Sequence, residues 1–197
     1  MCVILIGKIG KTLHKAAKEQ NRDGFSLFTK EQGLIKAPTE EQVEQALGQF
    51  GIWHYRIRSS GAVDDRNIHP FKVSGGTYLL YHNGVIGAGT ATLSDTACLA
   101  KTLYLSPVKS VMTVLESLSA GNRFCLVNAK NPHEFYLYGK WECEAGVLMS
   151  HKMYYGASAY RAASLTKEER AGWTSYAKSY GSTTRFYGKS VGDYEGE

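Results

Sequence analysis

Apolar positions recur along this chain with two periods, near 2 and near 3.6, and the switches between them mark out its elements. Val3, Ile4, Leu5 and Ile6 follow Cys2 at once, and residues 2–6 read as a buried strand. Residues 11–20 (KTLHKAAKEQ) have helical composition and put Leu13, Ala16 and Ala17 on one side. Asn21-Arg22-Asp23-Gly24 is turn chemistry, after which Phe25 and Leu27 alternate with Ser26 and Thr29 as in a half-buried strand. Gln32-Gly33 turns a hairpin back through residues 34–36. Thr39 caps a helix predicted over residues 41–50, with Glu40 and Glu41 suited to its first turn.

Residues 52–58 (IWHYRIR) alternate as a strand, and residues 59–76 form a loop rich in Gly, Asp, Asn and Pro. A further strand over 77–82 (TYLLYH) stops at Asn83-Gly84. Ser94-Asp95 opens a helix that reaches residues 102–105, and Pro107 starts another over 108–118, ended by Gly121-Asn122. Short strands follow over 124–128, 134–138, 140–144 and 147–151, with Tyr138-Gly139-Lys140 as a tight turn between two of them. Strands, then helices, then strands, with antiparallel hairpins, predict an α+β fold: two antiparallel sheets face to face, helices outside.

From about Gly156 the composition shifts to Ala, Ser, Tyr, Lys and Gly. Thr166 with Glu169 makes a capping box for one short helix reaching about Lys178, and residues 181–197, poor in aliphatics, are expected to fray. The expected division is a domain over 2–155 and a C-terminal extension over 156–197.

Composition narrows the function classes. A length of 197 residues suits one domain with a substantial core. No apolar run approaches the roughly 20 residues a bilayer span requires, and no basic segment precedes residues 3–6 as in a signal peptide. A cytoplasmic protein with no membrane partner is expected. The charge of +5, from 23 basic and 18 acidic residues, is spread along the chain rather than gathered into a stripe, which argues against nucleic acid. Cys98, Cys125 and Cys143 read as buried thiols. The six histidines form no HExxH and no Cys/His cluster, so no metal site is expected.

Four places carry chemistry. Removal of Met1 would leave Cys2 with a thiol and an α-amine on one residue, a nucleophile and base in a single unit; the bland role is a small hydrophobe opening a strand. His54-Tyr55-Arg56-Ile57-Arg58-Ser59-Ser60-Gly61 sets an arginine fork beside hydroxyls, suited to a carboxylate or equally to a surface ion pair. Asn83-Gly84 offers two oxyanion donors, or a hairpin turn. In Ser94-Asp95-Thr96 the carboxylate can hold an ammonium, or Ser94 or Asp95 can cap a helix.

Taken in order, these segments resemble the glutaminase domain of class II glutamine amidotransferases, a branch of the N-terminal-nucleophile (Ntn) hydrolases. The resemblance rests on Cys2, then His54-x-Arg56 with Ser59, Ser60 and Gly61, then Asn67-Ile68-His69-Pro70, His82-Asn83-Gly84 and Ser94-Asp95-Thr96. Asn21-Arg22-Asp23-Gly24-Phe25 is similar to the segment before the family's second strand. The likeness spans roughly residues 2–150. It implies an Ntn-hydrolase-like four-layer αββα sandwich and a free-standing glutaminase needing no cofactor. It makes Cys2 the nucleophile and, through its amine, the proton carrier. Arg56 and Ser59 would hold the glutamine α-carboxylate with help from the Ser60 backbone. Asp95, with the Gly84 carbonyl, would hold the α-ammonium, and the Asn83 side chain and Gly84 N–H the oxyanion.

Departures from the family pattern shape further expectations. Ser59 replaces a common threonine, and Arg58 adds a charge beside the pocket. Residues 85–93 (VIGAGTATL) are too short for the helix that synthase-linked relatives carry, so a more open wall is expected. No synthase domain fits in the remaining chain, so a separate ammonia-accepting synthase subunit is a possible partner. Two other readings stand beside the glutaminase: an amidase for another amide or γ-glutamyl compound, and a catalytically idle scaffold whose basic, tyrosine-rich tail contacts a partner.

Overall fold

The computed structural model describes residues 2–151; the expected helix and frayed end of the extension lie outside them. The elements run β1 (Val3–Lys8), α1 (Lys11–Gln20), β2 (Phe25–Thr29), β3 (Gly33–Lys36), α2 (Glu40–Ala46), β4 (Phe50–Tyr55), β5 (Phe71–Val73), β6 (Tyr78–Asn83). Then follow α3 (Asp95–Leu103), α4 (Val108–Ser117), β7 (Arg123–Asn128), β8 (Asn131–Tyr138), β9 (Glu142–Glu144) and β10 (Val147–Met149). The described chain is thus α+β, with two antiparallel sheets ordered β3-β2-β4-β1-β10-β9 and β5-β6-β7-β8.

Alternation along the strands decides what faces what. On β1, Val3 and Leu5 pack with Leu13, Ala17, Val43 and Ala46 of α1 and α2. The intervening Ile4 and Ile6 pack with Leu79 of β6 and Val127 of β7, across the space between the sheets. On the far side of the second sheet, Leu80 and Leu126 meet Ala100, Leu103, Val111 and Leu115 of α3 and α4. Each sheet therefore faces the other on one side and a helix pair on the other, and its central strands are buried on both faces. Two-sided burial explains the unbroken apolar run at residues 3–6.

It also corrects one expectation: β2 is not half-buried, since Ser26 and Thr29 are as inaccessible as Leu27. The predicted helix over 41–50 stops at Ala46, because Gly48 takes φ +79° and Phe50 pairs with Lys8 in β1. Its start is as expected, with Thr39 and Gln42 forming a reciprocal capping box worth about 1 kcal/mol. The strand expected over 52–58 ends at Tyr55, and the loop over 59–76 contains β5, too short at three residues to show a period. Tyr138-Gly139-Lys140 is not a hairpin turn: β8 and β9 belong to different sheets, so the chain crosses between layers there. Of the three cysteines expected to be buried, Cys125 is, Cys98 is half-buried and Cys143 is exposed, all as free thiols. Among the described residues no helix is long and apolar enough to cross a membrane.

Candidate active site

The register of β1 against β4 builds the first half of the site. Val3 pairs with Tyr55, which sets Cys2 beside Arg56 where both strands leave the sheet. The other half comes from the end of β6 and the start of α3, whose N-cap is Ser94, with its side chain accepting the Ala97 N–H at 3.2 Å. Between the halves lies a cavity of about 10 Å³, lined by Cys2, Arg56, Ser59, Ser60, Gly84 and Asp95. Ile57, His69, His82, Ser94 and Thr96 complete the lining. That space admits about one water molecule.

Cys2 is half-buried, and its Sγ has the Ile57 carbonyl as hydrogen-bond partner at 3.5 Å, not a ring nitrogen. Burial pushes the Cys2 thiol up; the Ile57 bond and the positive charge of Arg56 act the other way. Arg56 is only 2% exposed, which removes the surface ion-pair alternative. Its partners are carbonyls, Asp23 O at 3.3 Å and Ser60 O at 3.1 Å, and no carboxylate pairs with it among the described residues. A buried cation so placed is strongly disposed toward an anion entering the cavity.

Asp95 lies in the first turn of α3. Its Oδ1 accepts the Thr96 N–H at 2.7 Å and Oδ2 accepts the Ile86 N–H at 2.8 Å. The Asp95 N–H donates to Ser60 Oγ at 3.2 Å, tying α3 to the arginine loop. Cation and carboxylate thus border one small cavity. Asn83 is the exception among the seven expected residues. Its Nδ2 donates to Ser150 Oγ at 3.0 Å, and Asn83 does not line the cavity. Arg58, expected beside the pocket, also lies outside the lining; its N–H donates to Asp23 Oδ2 at 2.7 Å. Asn83-Gly84 makes no hairpin, since β6 pairs with β5 and β7.

Asn122 and Ser150 carried no functional signal in the sequence, and Gly61 and Asn67, though in the quoted segments, were given no role there. Asn67 is fully buried and joins its own loop to the segment before α3. Its Nδ2 lies 3.1 Å from Ala62 O and 2.8 Å from Thr92 O, while its Oδ1 accepts the Ser94 N–H at 2.6 Å. Gly61 is what lets these loops close: it has φ +72°, and a Cβ there would stand 2.5 Å from Ser94 N. Asn122 Oδ1 accepts the Val85 N–H at 3.0 Å and lies 3.0 Å from His82 Nε2, which places the His82 proton on Nε2, while Thr96 Oγ1 lies 2.8 Å from Nδ1 and 3.2 Å from Asp95 Oδ1, two acceptors for its single proton. A Cβ on Gly84, at φ +153°, would collide with the Asn122 carboxamide. Ser150, after β10, accepts the Ile4 N–H at 2.9 Å as well as Asn83.

The expected open wall is not found. Residues 85–93 fold back on the arginine loop, with Gly61 N–H donating to Thr90 O at 3.2 Å and Ala62 N–H to Thr92 O at 3.3 Å. Replacing Asn67 with alanine is expected to strand the Ser94 N–H and to leave Thr92 O with the Ala62 N–H alone, lowering unfolding stability by about 2 kcal/mol in urea titrations. A variant as stable as the parent would show that these loops close without it.

The histidines flanking the site are buried. His54 and His69 lie with ring centroids 4.2 Å apart, and no ring nitrogen of either has a hydrogen-bond partner among the described residues. Burial, then the charge of Arg56, pushes His54 down to about 3, and burial holds His69 well below its ordinary value. His82 is lowered by burial too, against the opposing bond to Asn122. Among the described residues no three His, Cys, Asp or Glu side chains group as a metal site. The chain matches no known protein-family model and no curated protein.

Proposed function

We propose that this chain is a cysteine N-terminal-nucleophile amidohydrolase that releases ammonia from glutamine through a γ-glutamyl thioester on Cys2. One observation carries the reading: Cys2, a buried arginine with no carboxylate partner among the described residues, and Asp95 border the same cavity. A nucleophile between a cation and an anion suits a zwitterionic amino acid whose side chain is to be attacked. The sheet and helix layers are compatible with the four-layer αββα sandwich of Ntn hydrolases.

In this mechanism Met1 is removed and the Cys2 amine takes the thiol proton. The absence of a histidine on Sγ favours the amine as base over a Cys–His pair. The thiolate attacks the γ-carboxamide carbon, a C–S bond forms, and the carbonyl electron pair moves to oxygen. Gly84 N–H faces that oxyanion, and the Asn83 amide joins it on turning from Ser150. Such a donor is worth about 2.7–4 kcal/mol in the barrier. The oxyanion collapses, the amine returns its proton to the leaving nitrogen, and ammonia departs. Water then adds to the thioester, giving its proton to the amine, and glutamate leaves as the C–S bond breaks. Arg56 with Ser59 orients the α-carboxylate, and Asp95 the α-ammonium, so recognition and proximity come from the same contacts. Because the cavity holds about one water, glutamine enters only as the segments that line it move apart. The ammonia goes to a separate synthase subunit or is released.

The test uses the protein purified from cells. Intact mass is expected to show loss of Met1 and one adduct on Cys2 after treatment with a diazo-ketone analogue of glutamine. The untreated enzyme is expected to convert glutamine to glutamate and ammonia. Retention of Met1, or a labelled Cys2 with no glutamine turnover, would overturn the proposal, the second result pointing to another amide as substrate.

A further inference from the structure

A second and larger depression, about 550 Å³, lies between α3 and β5, the edge strand of the four-stranded sheet. Its volume falls within the range of small-molecule sites. The floor follows from helical spacing: Ala97, Ala100, Lys101 and Tyr104 stand at i, i+3, i+4 and i+7, one stripe of α3. The two alanines are buried and leave an apolar base without bulk, while Phe71 of β5 and the exposed ring of Tyr104 supply aromatic walls. Gly75 N–H donates to Tyr104 O at 2.5 Å, which pins the end of the helix to the turn after β5.

Charge then selects the occupant. Among the described residues no carboxylate lines the groove, while three cations do. Arg66 is already engaged, its Nε and Nη2 both on Asp64 Oδ2 at 3.1 and 2.7 Å. The ammonium groups of Lys72 and Lys101 have no hydrogen-bond or ion-pair partner among the described residues. Lys72 and Tyr104 meet at one corner: a side chain on Gly76 would begin 3.7 Å from Lys72 Cδ and 4.0 Å from Tyr104 Oη. A neutral ligand would leave both lysines to water and gain nothing from their charge, and a bare anion would leave the alanine floor and aromatic walls uncovered.

We propose that this groove binds a small aromatic phosphate monoester, its ring on Ala97 and Ala100 beside Phe71 and Tyr104, its phosphate between Lys72 and Lys101. A phosphate monoester carries about −1.5 to −2 at neutral pH, matching two lysines better than a carboxylate does. The site shares no lining residue with the Cys2 cavity, so it stands whether or not glutamine is the substrate there.

Naphthyl phosphate, titrated into the full-length protein and followed through the backbone amide resonances, tests it. Saturable shifts are expected at Ala97, Ala100 and Tyr104, with a Kd of roughly 1 mM or tighter, ordinary for a ligand of this size. Naphthol and inorganic phosphate are each expected to bind at least about ten-fold more weakly, and so is naphthyl phosphate to the double variant Lys72→Glu, Lys101→Glu. Both lysines are exposed, so the variant is expected to keep the parent's melting temperature, which is measured alongside. Equal binding of naphthol, equal binding of phosphate alone, unchanged affinity in the double variant, or shifts confined to other residues would each overturn the assignment.

Discussion

Replacing Cys2 with alanine is expected to lower glutamine hydrolysis by at least about 10⁴-fold, because removal of a nucleophile takes away the whole covalent route. The same change should barely touch the fold. The Cys2 side chain is half-buried, and its hydrogen bond is a long one, 3.5 Å to the Ile57 carbonyl. Stability within about 1 kcal/mol of the parent is therefore expected. Ammonia release under saturating glutamine, with urea unfolding measured in parallel, separates the two quantities. Cys2→Ser is the sharper companion, since it keeps an oxygen nucleophile and the shape of the site. A parent-like rate in Cys2→Ala would end the proposed mechanism.

The second large effect is acid destabilisation. His54 has an ordinary value of about 6.5 when unfolded and is pushed down to about 3 in the folded protein, chiefly by burial and then by Arg56. Below 6.5 the unfolded chain takes up a proton that the folded chain refuses, so the unfolded state binds more protons. Stability is then complete above 6.5 and declines as the pH falls toward 3, by an amount on the order of several kcal/mol for this residue alone. His69 and His82, shifted in the same direction, steepen the decline. Urea midpoints measured between pH 7 and 4 are expected to drop progressively. His54→Leu, which puts an apolar side chain beside Ile52 and Tyr81, is expected to flatten that slope. An unchanged slope in the variant would assign acid sensitivity to other groups.

Much of this architecture is written locally. The helix over 11–20 and its buried Leu13 and Ala17 follow from spacing, as does the start of α2 at Thr39, because caps and amphipathic stripes depend on neighbours within a turn. The strands with long apolar or alternating runs are legible for the same reason. β5 is not, since three residues cannot display a period and its hydrogen bonds come from β6. Nor is the end of α2, where the pull of Phe50 into the sheet beside Lys8 overrides a continuing helical pattern. Tyr138-Gly139-Lys140 has the look of any tight turn; whether the next strand rejoins the same sheet is settled by partners far away in sequence.

The site divides along the same line. Residue types and their order along the chain were enough to single out Cys2, Arg56, Ser59, Ser60, Gly84 and Asp95, because each belongs to a short segment with its own chemistry. That they border one cavity is a matter of register: Val3 opposite Tyr55, and the ends of β6 and α3 carried to the same place. The orientation of Asn83 toward Ser150, the closure of residues 85–93 over the arginine loop, and the bracing by Asn67 and Asn122 come from contacts between residues 25 to 67 positions apart. Amides and hydroxyls of this kind carry no period, and even where a motif names one, as at Asn67 and Asn83, it does not say which partner it takes. Their meaning is set by the buried donors and acceptors they happen to meet, and the unsatisfied cost of those groups is fixed only when the chain has folded around them.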